Sequence, residues 1–138
     1  MKYIFPAIIT HTLDDKCFPD GVYEVSFPDI PGCLTFGETM QEAFENAQDA
    51  LNGMLLTLEN AKETIPKPSD LKSIKCDDIS VVALVGADTL AYRKKYDTKS
   101  VKKTLTIPAW LNTKAMENNI NFSNVLQEAL LKRLGLDK

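Results

Sequence analysis

The sequence predicts an α+β fold in two parts, a strand-strand-strand-helix-strand body and a strand-helix-helix tail. Three observations predict it. Short runs of β-branched and aromatic residues fill the chain before residue 38, and helical spacing takes over after Thr39. A second alternating run, Val101–Ile107, is followed by two helical patterns. The charge also changes sign: residues 1–92 hold 6 Lys/Arg against 15 Asp/Glu, a balance of −9, and residues 93–138 hold 10 against 4, a balance of +6. Such asymmetry suggests an acidic body with one task and a basic end suited to a polyanion.

Within the body, Tyr3 to His11 reads as a strand, with Pro6 expected at its start or on an edge because proline cannot donate to a ladder. Asp14-Asp15-Lys16 and Pro19-Asp20-Gly21 mark a turn. Gly21 to Phe27 reads as the second strand, with Tyr23, Val25 and Phe27 on one face. Leu34-Thr35-Phe36 is a short third strand closed by Gly37. Thr39-Met40-Gln41-Glu42 fits a capping box, in which the threonine hydroxyl and the glutamate carboxylate satisfy amides of the first turn. From there Met40, Ala43, Phe44, Ala47, Leu51, Met54, Leu55 and Leu58 form one apolar stripe. The helix is expected to run to about Glu63, where Thr64-Ile65-Pro66-Lys67-Pro68 ends it. Ile79–Val85 is almost wholly apolar and predicts a fourth, central strand. Residues 87–100 are polar and basic, with Arg93-Lys94-Lys95 and Lys99, and 93–100 reads as a basic linker with room for a helical turn. The domains are therefore placed at 1–92 and 101–138.

In the tail, Val101, Leu105 and Ile107 lie on one face of a short strand, and Lys102, Thr104 and Thr106 on the other. Pro108 opens a helix over Ala109 to about Asn118, and Asn118-Asn119 breaks it. Asn121 caps a second helix bearing Val125, Leu126, Ala129, Leu130 and Leu134, closed by Gly135. A lone strand has no ladder partner, and a segment this short cannot bury its own apolar surface. A twofold dimer solves both problems: two strands pair into a ribbon, and four helices share one core. The ribbon then presents Lys102, Thr104 and Thr106 twice, sized for a DNA major groove. The amides at Phe122 and Ser123 suit phosphate oxygens. This stretch resembles the ribbon-helix-helix repressors. That resemblance implies that Lys102, Thr104 and Thr106 read bases, and that Asn121, Phe122 and Ser123 contact phosphate. The plainer alternative is a dimerisation tail with a solvated Lys/Thr face.

Tyr23-x-Val25 leads to Phe27-Pro28-Asp29-Ile30-Pro31-Gly32-Cys33, then to Gly37-x-Thr39-x-x-Glu42-Ala43. These motifs resemble the HicB antitoxin family, with Ile30 where the family has leucine. Pro108-x-Trp110-Leu111 and Leu126-Gln127-Glu128-Ala129-Leu130 resemble the HicB subgroup that carries a ribbon-helix-helix tail. The resemblance implies a partial RNase H-like body with one long helix. It implies a HicA-type toxin as partner, masked by the antitoxin, and repression of the protein's own operon through operator DNA. It also implies a homodimer, with pairing of dimers into tetramers left open, and no enzymatic activity or cofactor. Asp29 is a candidate toxin contact, with a plain turn-forming role as the alternative.

A metal-dependent nuclease would need several carboxylates converging on two metals. Asp29 and Glu24 cannot be placed beside Asp14, Asp15 or Glu42 from sequence. His11 has no identifiable nucleophile or orienting partner. Cys17, Cys33 and Cys76 show no C-x-x-C spacing, so neither a disulfide framework nor a zinc site is expected. No apolar run reaches the length of a membrane span, no signal peptide is recognisable, and a cytoplasmic location is the default. A stand-alone regulator whose acidic domain senses a small molecule is the other reading.

Overall fold

The computed structural model describes residues 1–13 and 16–137. The turn expected at Asp14-Asp15-Lys16 falls partly on residues 14 and 15, outside the described residues. The chain divides into two compact units, Met1–Lys99 and Ser100–Lys138.

The first unit is a four-stranded antiparallel sheet with one long helix on one face. Its strands are β1 (Lys2–Thr12), β2 (Val22–Ser26), β3 (Leu34–Gly37) and β4 (Ser80–Asp88), and its helices are α1 (Met40–Ala61) and α2 (Thr89–Tyr96). The spatial order is β3-β2-β1-β4. This corrects the expectation for β4, which lies at an edge and pairs with β1 alone. Its apolar run reflects neighbours on the pleat, not strands on both sides: Val85 and Ala87 are buried, whereas Val81 and Leu84 are exposed.

Pro6 meets the expectation of an edge position on one flank only. It sits inside β1 opposite Leu84, and it is fully buried. Proline is tolerated there because the β1·β2 ladder begins only at Ile8. On its β2 flank β1 is locally an edge at Pro6.

Thr39 caps α1 as its sequence implies, its hydroxyl accepting from the Glu42 amide at 3.1 Å. The Glu42 carboxylate accepts from the amide of Glu38, one residue before the position a capping box specifies, at 3.3 Å. Ala43, Ala47, Leu51 and Leu55 are buried, so the core stripe advances by four. Met40 and Phe44, assigned to that stripe from spacing, are exposed. The helix stops at Ala61, before any proline. Lys62 adopts a left-handed conformation (φ 57°), and the amides of Lys62 and Glu63 close on Glu59 O and Leu58 O at 3.1 and 3.0 Å. At the other end a Cβ on Gly37 would collide with the Ala43 backbone, so glycine lets β3 end directly against α1.

Residues 93–96, expected in a linker, belong to α2. Asp88 caps that helix by accepting from the Ala91 amide at 3.1 Å. Between α1 and β4 runs a long connection with a single 3-10 turn at Leu71–Ser73. The core joins Phe5 and Ala7 of β1 to Val25, Val85 and the α1 stripe, with Phe27, Ile30 and Cys33 sealing one end.

The second unit contains α3 (Ala109–Glu117) and α4 (Phe122–Arg133). The strand expected over residues 101–107 does not form a ladder in the single chain. A lone extended segment has no second strand beside it to pair with in this unit. Asn119 takes a left-handed conformation (φ 54°) at the break between the helices. Asn121 caps α4 by accepting from the Asn124 amide at 3.1 Å, and Gly135 (φ 70°) closes it.

Candidate functional site

The Pro28–Gly32 turn is built by its own backbone. The Ile30 amide donates to Phe27 O at 3.1 Å, the Cys33 amide to Ile30 O at 3.1 Å, and the Phe27 amide to Cys33 O at 3.2 Å. Gly32 supplies the left-handed residue this closure needs (φ 83°). Ile30 and Cys33 point into the core, and burial pushes the Cys33 thiol up from its ordinary pKa. Asp29 is left half-buried at the surface of the turn. Its carboxylate accepts from the Ser69 amide at 2.8 Å and from the Ser69 hydroxyl. The Ser69 tether, which pins the long connection onto the turn, joins residues 40 apart in sequence and has no local sequence signal.

Asp14 and Asp15 lie outside the described residues, and among the described residues no group of three or more His, Cys, Asp or Glu side chains is placed to hold a metal ion. Glu42 serves the α1 cap, Asp29 holds Ser69, and Glu24 accepts from Thr12 Oγ1 at 3.2 Å. His11 stacks on its cross-strand partner Tyr23, with ring centroids 4.1 Å apart.

A polar cluster absent from the sequence reading ties α1, α2 and β1 together. Glu59 accepts from Tyr3 at 3.0 Å and from Thr89 Oγ1 at 2.8 Å, and it pairs with Arg93 at 3.2 Å. Arg93 also donates to Asn60 Oδ1 at 2.8 Å. Burial alone would push the Glu59 carboxyl up, but hydrogen bonds from Thr89, Tyr3 and Arg93 outweigh it and hold the group below its ordinary value. Tyr3 is pushed up by burial and by the Glu59 carboxylate. Next to this cluster α1, α2 and the β1/β4 edge enclose an open groove of about 800 Å³. Asp49 and Tyr92 both line it, and the Tyr92 hydroxyl is raised by burial first and by Asp49 second.

In the second unit Lys102, Thr104 and Thr106 are all exposed on the unpaired 101–107 segment. One chain does not assemble them into a ribbon. Asn121, Phe122 and Ser123 do come together, at the first turn of α4. Asn121 uses its side chain on the Asn124 amide, and the amides of Phe122 and Ser123 have no intrahelical acceptor. Neither helix of this unit has a buried residue. Trp110, Met116, Val125, Leu130 and Leu134 are exposed, as are Val101, Leu105 and Ile107 of the preceding segment.

A family model described as a HicB-like antitoxin of bacterial toxin–antitoxin systems matches residues 5–130. The chain belongs to the HicB-like antitoxin family. Antitoxin HicB of Escherichia coli K12 is 51% identical over 55 residues, which is 40% of this chain and 40% of that protein. Antitoxin HicB 1 of Photorhabdus laumondii is 38% identical over 80 residues, 58% of this chain and 50% of that protein. This HicB-like chain thus spans about half or less of the length of these curated relatives.

Among solved structures, a chain of a toxin–antitoxin complex from Streptococcus pneumoniae is 27% identical with a TM-score of 0.60, covering 96% of this chain and 99% of that one. The Burkholderia pseudomallei antitoxin HicB is 26% identical with a TM-score of 0.51, covering 96% and 98%. The mixed α+β architecture, with its antiparallel sheet and four helices, is that of HicB-like structures. No helix among the described residues is long and apolar enough to cross a membrane.

Proposed function

We propose that this protein is a cytoplasmic, non-enzymatic antitoxin that masks a HicA-type ribonuclease toxin with its first unit and represses its own operon with its second. The observation that carries the DNA-binding half is that α3 and α4 bury no side chain in one chain. Two amphipathic helices and an unpaired alternating segment reach a stable state by dimerisation, and pairing of the 101–107 segments yields the ribbon-helix-helix arrangement. In that dimer Lys102, Thr104 and Thr106 read base edges, and the first turn of α4 at Asn121, Phe122 and Ser123 meets phosphate. The first unit is a partial RNase H-like domain. Its acidic surface suits an electropositive, RNA-binding partner, and Asp29 lies on the motif-bearing turn.

Two measurements test this reading. Co-expression with a HicA-type toxin is expected to relieve growth arrest; persistent arrest removes the antitoxin half. In gel shifts on the operator, replacing Lys102, Thr104 and Thr106 together with alanine abolishes the complex, and Lys102→Ala alone weakens binding and reduces the salt slope by about one per lysine. An unchanged shift leaves the tail as a dimerisation device only. The groove beside Asp49 and Tyr92 favours one second reading, a stand-alone regulator whose first unit senses a small molecule. Operator affinity that responds to a metabolite extract in the absence of any toxin selects it.

A further inference from the structure

One wall of the groove between α1 and α2 is a row of hydrogen-bond acceptors. Glu45, Asp49 and Asn52 line it from α1. Spacings of four and three place them one above another on the same helix face, roughly 5–6 Å apart. Glu45 already accepts from Gln41 Nε2 at 3.2 Å. Asn52 uses its Nδ2 on Gln48 O at 3.0 Å, and its Oδ1 is buried with no hydrogen-bond partner. A buried acceptor is costly to leave unpaired. The terminal torsion of asparagine is soft, so a donor entering the groove can recruit this oxygen at little cost.

The facing wall, from α2, is aromatic. The rings of Tyr92 and Tyr96 have centroids 4.6 Å apart and planes tilted by 44°. Lys95 Nζ lies 5.2 Å from the Tyr96 centroid, so this pair already attracts one cation. The Tyr92 hydroxyl is pushed up by burial first and by the Asp49 carboxylate second, which places negative charge beside its ring. The groove measures about 800 Å³, within the roughly 300–1,000 Å³ of small-molecule sites.

What the two walls lack is a donor, and their chemistry selects its class. Among the described residues no three His, Cys, Asp or Glu side chains are placed to hold a metal ion. A simple anion would face Glu45 and Asp49. A guanidinium is planar, carries five donors in a fixed fork and stacks on aromatic rings, so it satisfies both walls at once. Lys2 and Lys95 line the groove as well, from β1 and from the last turn of α2, and offer a second anchor to a ligand with a carboxylate at its far end. We propose that this groove binds a small guanidino acid, the class to which free arginine belongs. Its planar cation lies against the tyrosine pair and donates to Asp49 and Asn52 Oδ1, and its carboxylate meets Lys2 and Lys95. The inference rests on the second reading above in one respect only, that the groove holds a small molecule.

Titration calorimetry of the full chain tests it with three compounds: L-arginine, L-citrulline, whose ureido group is neutral, and agmatine, which lacks the carboxylate. L-Arginine is expected to bind saturably. L-Citrulline is expected to bind about tenfold more weakly, the loss of one charge-assisted contact, and agmatine to fall between them. In amide proton–nitrogen spectra L-arginine should move Asp49, Asn52, Gly86 and Tyr92 and leave the amides of α4 in place. Asp49→Asn and Asn52→Ala should each weaken L-arginine about tenfold, with circular dichroism and melting unchanged. Asp49 is exposed, so its variant keeps the test open if Asn52→Ala fails to fold. The inference is overturned by the absence of saturable binding at millimolar L-arginine, by L-citrulline binding as tightly, or by a folded Asp49→Asn chain with wild-type affinity. Operator gel shifts with and without L-arginine separate the site from the sensing reading. L-Arginine that binds the groove and leaves operator affinity unchanged supports the site and removes the sensing role. A metabolite extract that changes operator affinity while L-arginine does not bind keeps the sensing role and overturns the guanidino ligand.

Discussion

The two units of this molecule are held together by different means. The first builds its own core: Phe5, Val25, Leu51, Leu55 and Val85 are all buried within one chain. The second has helices of good local quality, with a side-chain cap on α4 and basic residues in its last turn, yet buries nothing. Capping and propensity can specify where a helix starts and stops, but most helical stability comes from packing an apolar face. The contrast teaches that the first unit's stability belongs to the chain, whereas the second unit's apolar side chains find no cover within one chain.

The largest effect is expected in the first unit. Leu51 is fully buried on the α1 stripe. Leu51→Ala is expected to cost about 3 kcal/mol through lost burial and the cavity left behind. Urea denaturation of the full chain measures this, and the loss should be the same at all protein concentrations.

Leu130→Ala sharpens the comparison, because it removes the same atoms from α4. In a single chain Leu130 is 51% exposed, so its truncation there would change little. If the helices pack in a dimer, the change costs about 2 kcal/mol per chain. It should also lower the tail's melting midpoint most at low concentration, since dimer stability follows mass action. A cost below about 0.5 kcal/mol, the level of an ordinary surface substitution, would mean that Leu130 packs against nothing in solution.

Glu59 tests whether the first unit's self-sufficiency extends to its polar contacts. Its carboxylate accepts from three side chains, two of them neutral donors. Glu59→Gln is expected to cost about 2 kcal/mol at neutral pH. The folded carboxyl is held below its ordinary value, so its contribution is complete above the usual glutamate pKa of about 4.3 and is lost as pH falls through the lower folded value. Wild type and Glu59→Gln should therefore converge in stability on acidification. A gap that stays constant from pH 7 to pH 3 would show that the charge itself contributes nothing.

Much of this was legible in the residues. The order of the body's four strands and its long helix, the two tail helices, the Thr39 and Asn121 caps and the closing Gly135 all rest on local chemistry, and local chemistry is what a sequence displays. The errors have a common cause. Whether β4 is central and whether Phe44 reaches the core depend on neighbours remote in sequence, which periodicity does not encode. The Glu59 cluster escaped for the same reason, since Tyr3, Thr89 and Arg93 meet it only after folding. Of the candidate DNA contacts, Asn121, Phe122 and Ser123 are adjacent in sequence and meet at one helix start. A ribbon of Lys102, Thr104 and Thr106 requires a second chain.

The smallest effect is expected at Asp29, and it separates structure from recognition. Two hydrogen bonds from Ser69 fasten the connection between α1 and β4 to the Pro28–Gly32 turn. The turn closes through backbone bonds that do not involve the Asp29 side chain. Asp29→Asn therefore leaves the turn intact and weakens only the tether, at a cost of about 1 kcal/mol. Hydrogen exchange should show faster exchange at the Ser69 amide and its neighbours, with the Ile30 and Cys33 amides unchanged. Ser69→Ala should reproduce this pattern, because it also removes one of the two bonds. If Asp29→Asn weakens toxin binding and Ser69→Ala does not, the carboxylate itself touches the partner. If both weaken it equally, the partner reads the tethered connection, and Asp29 acts by holding it in place.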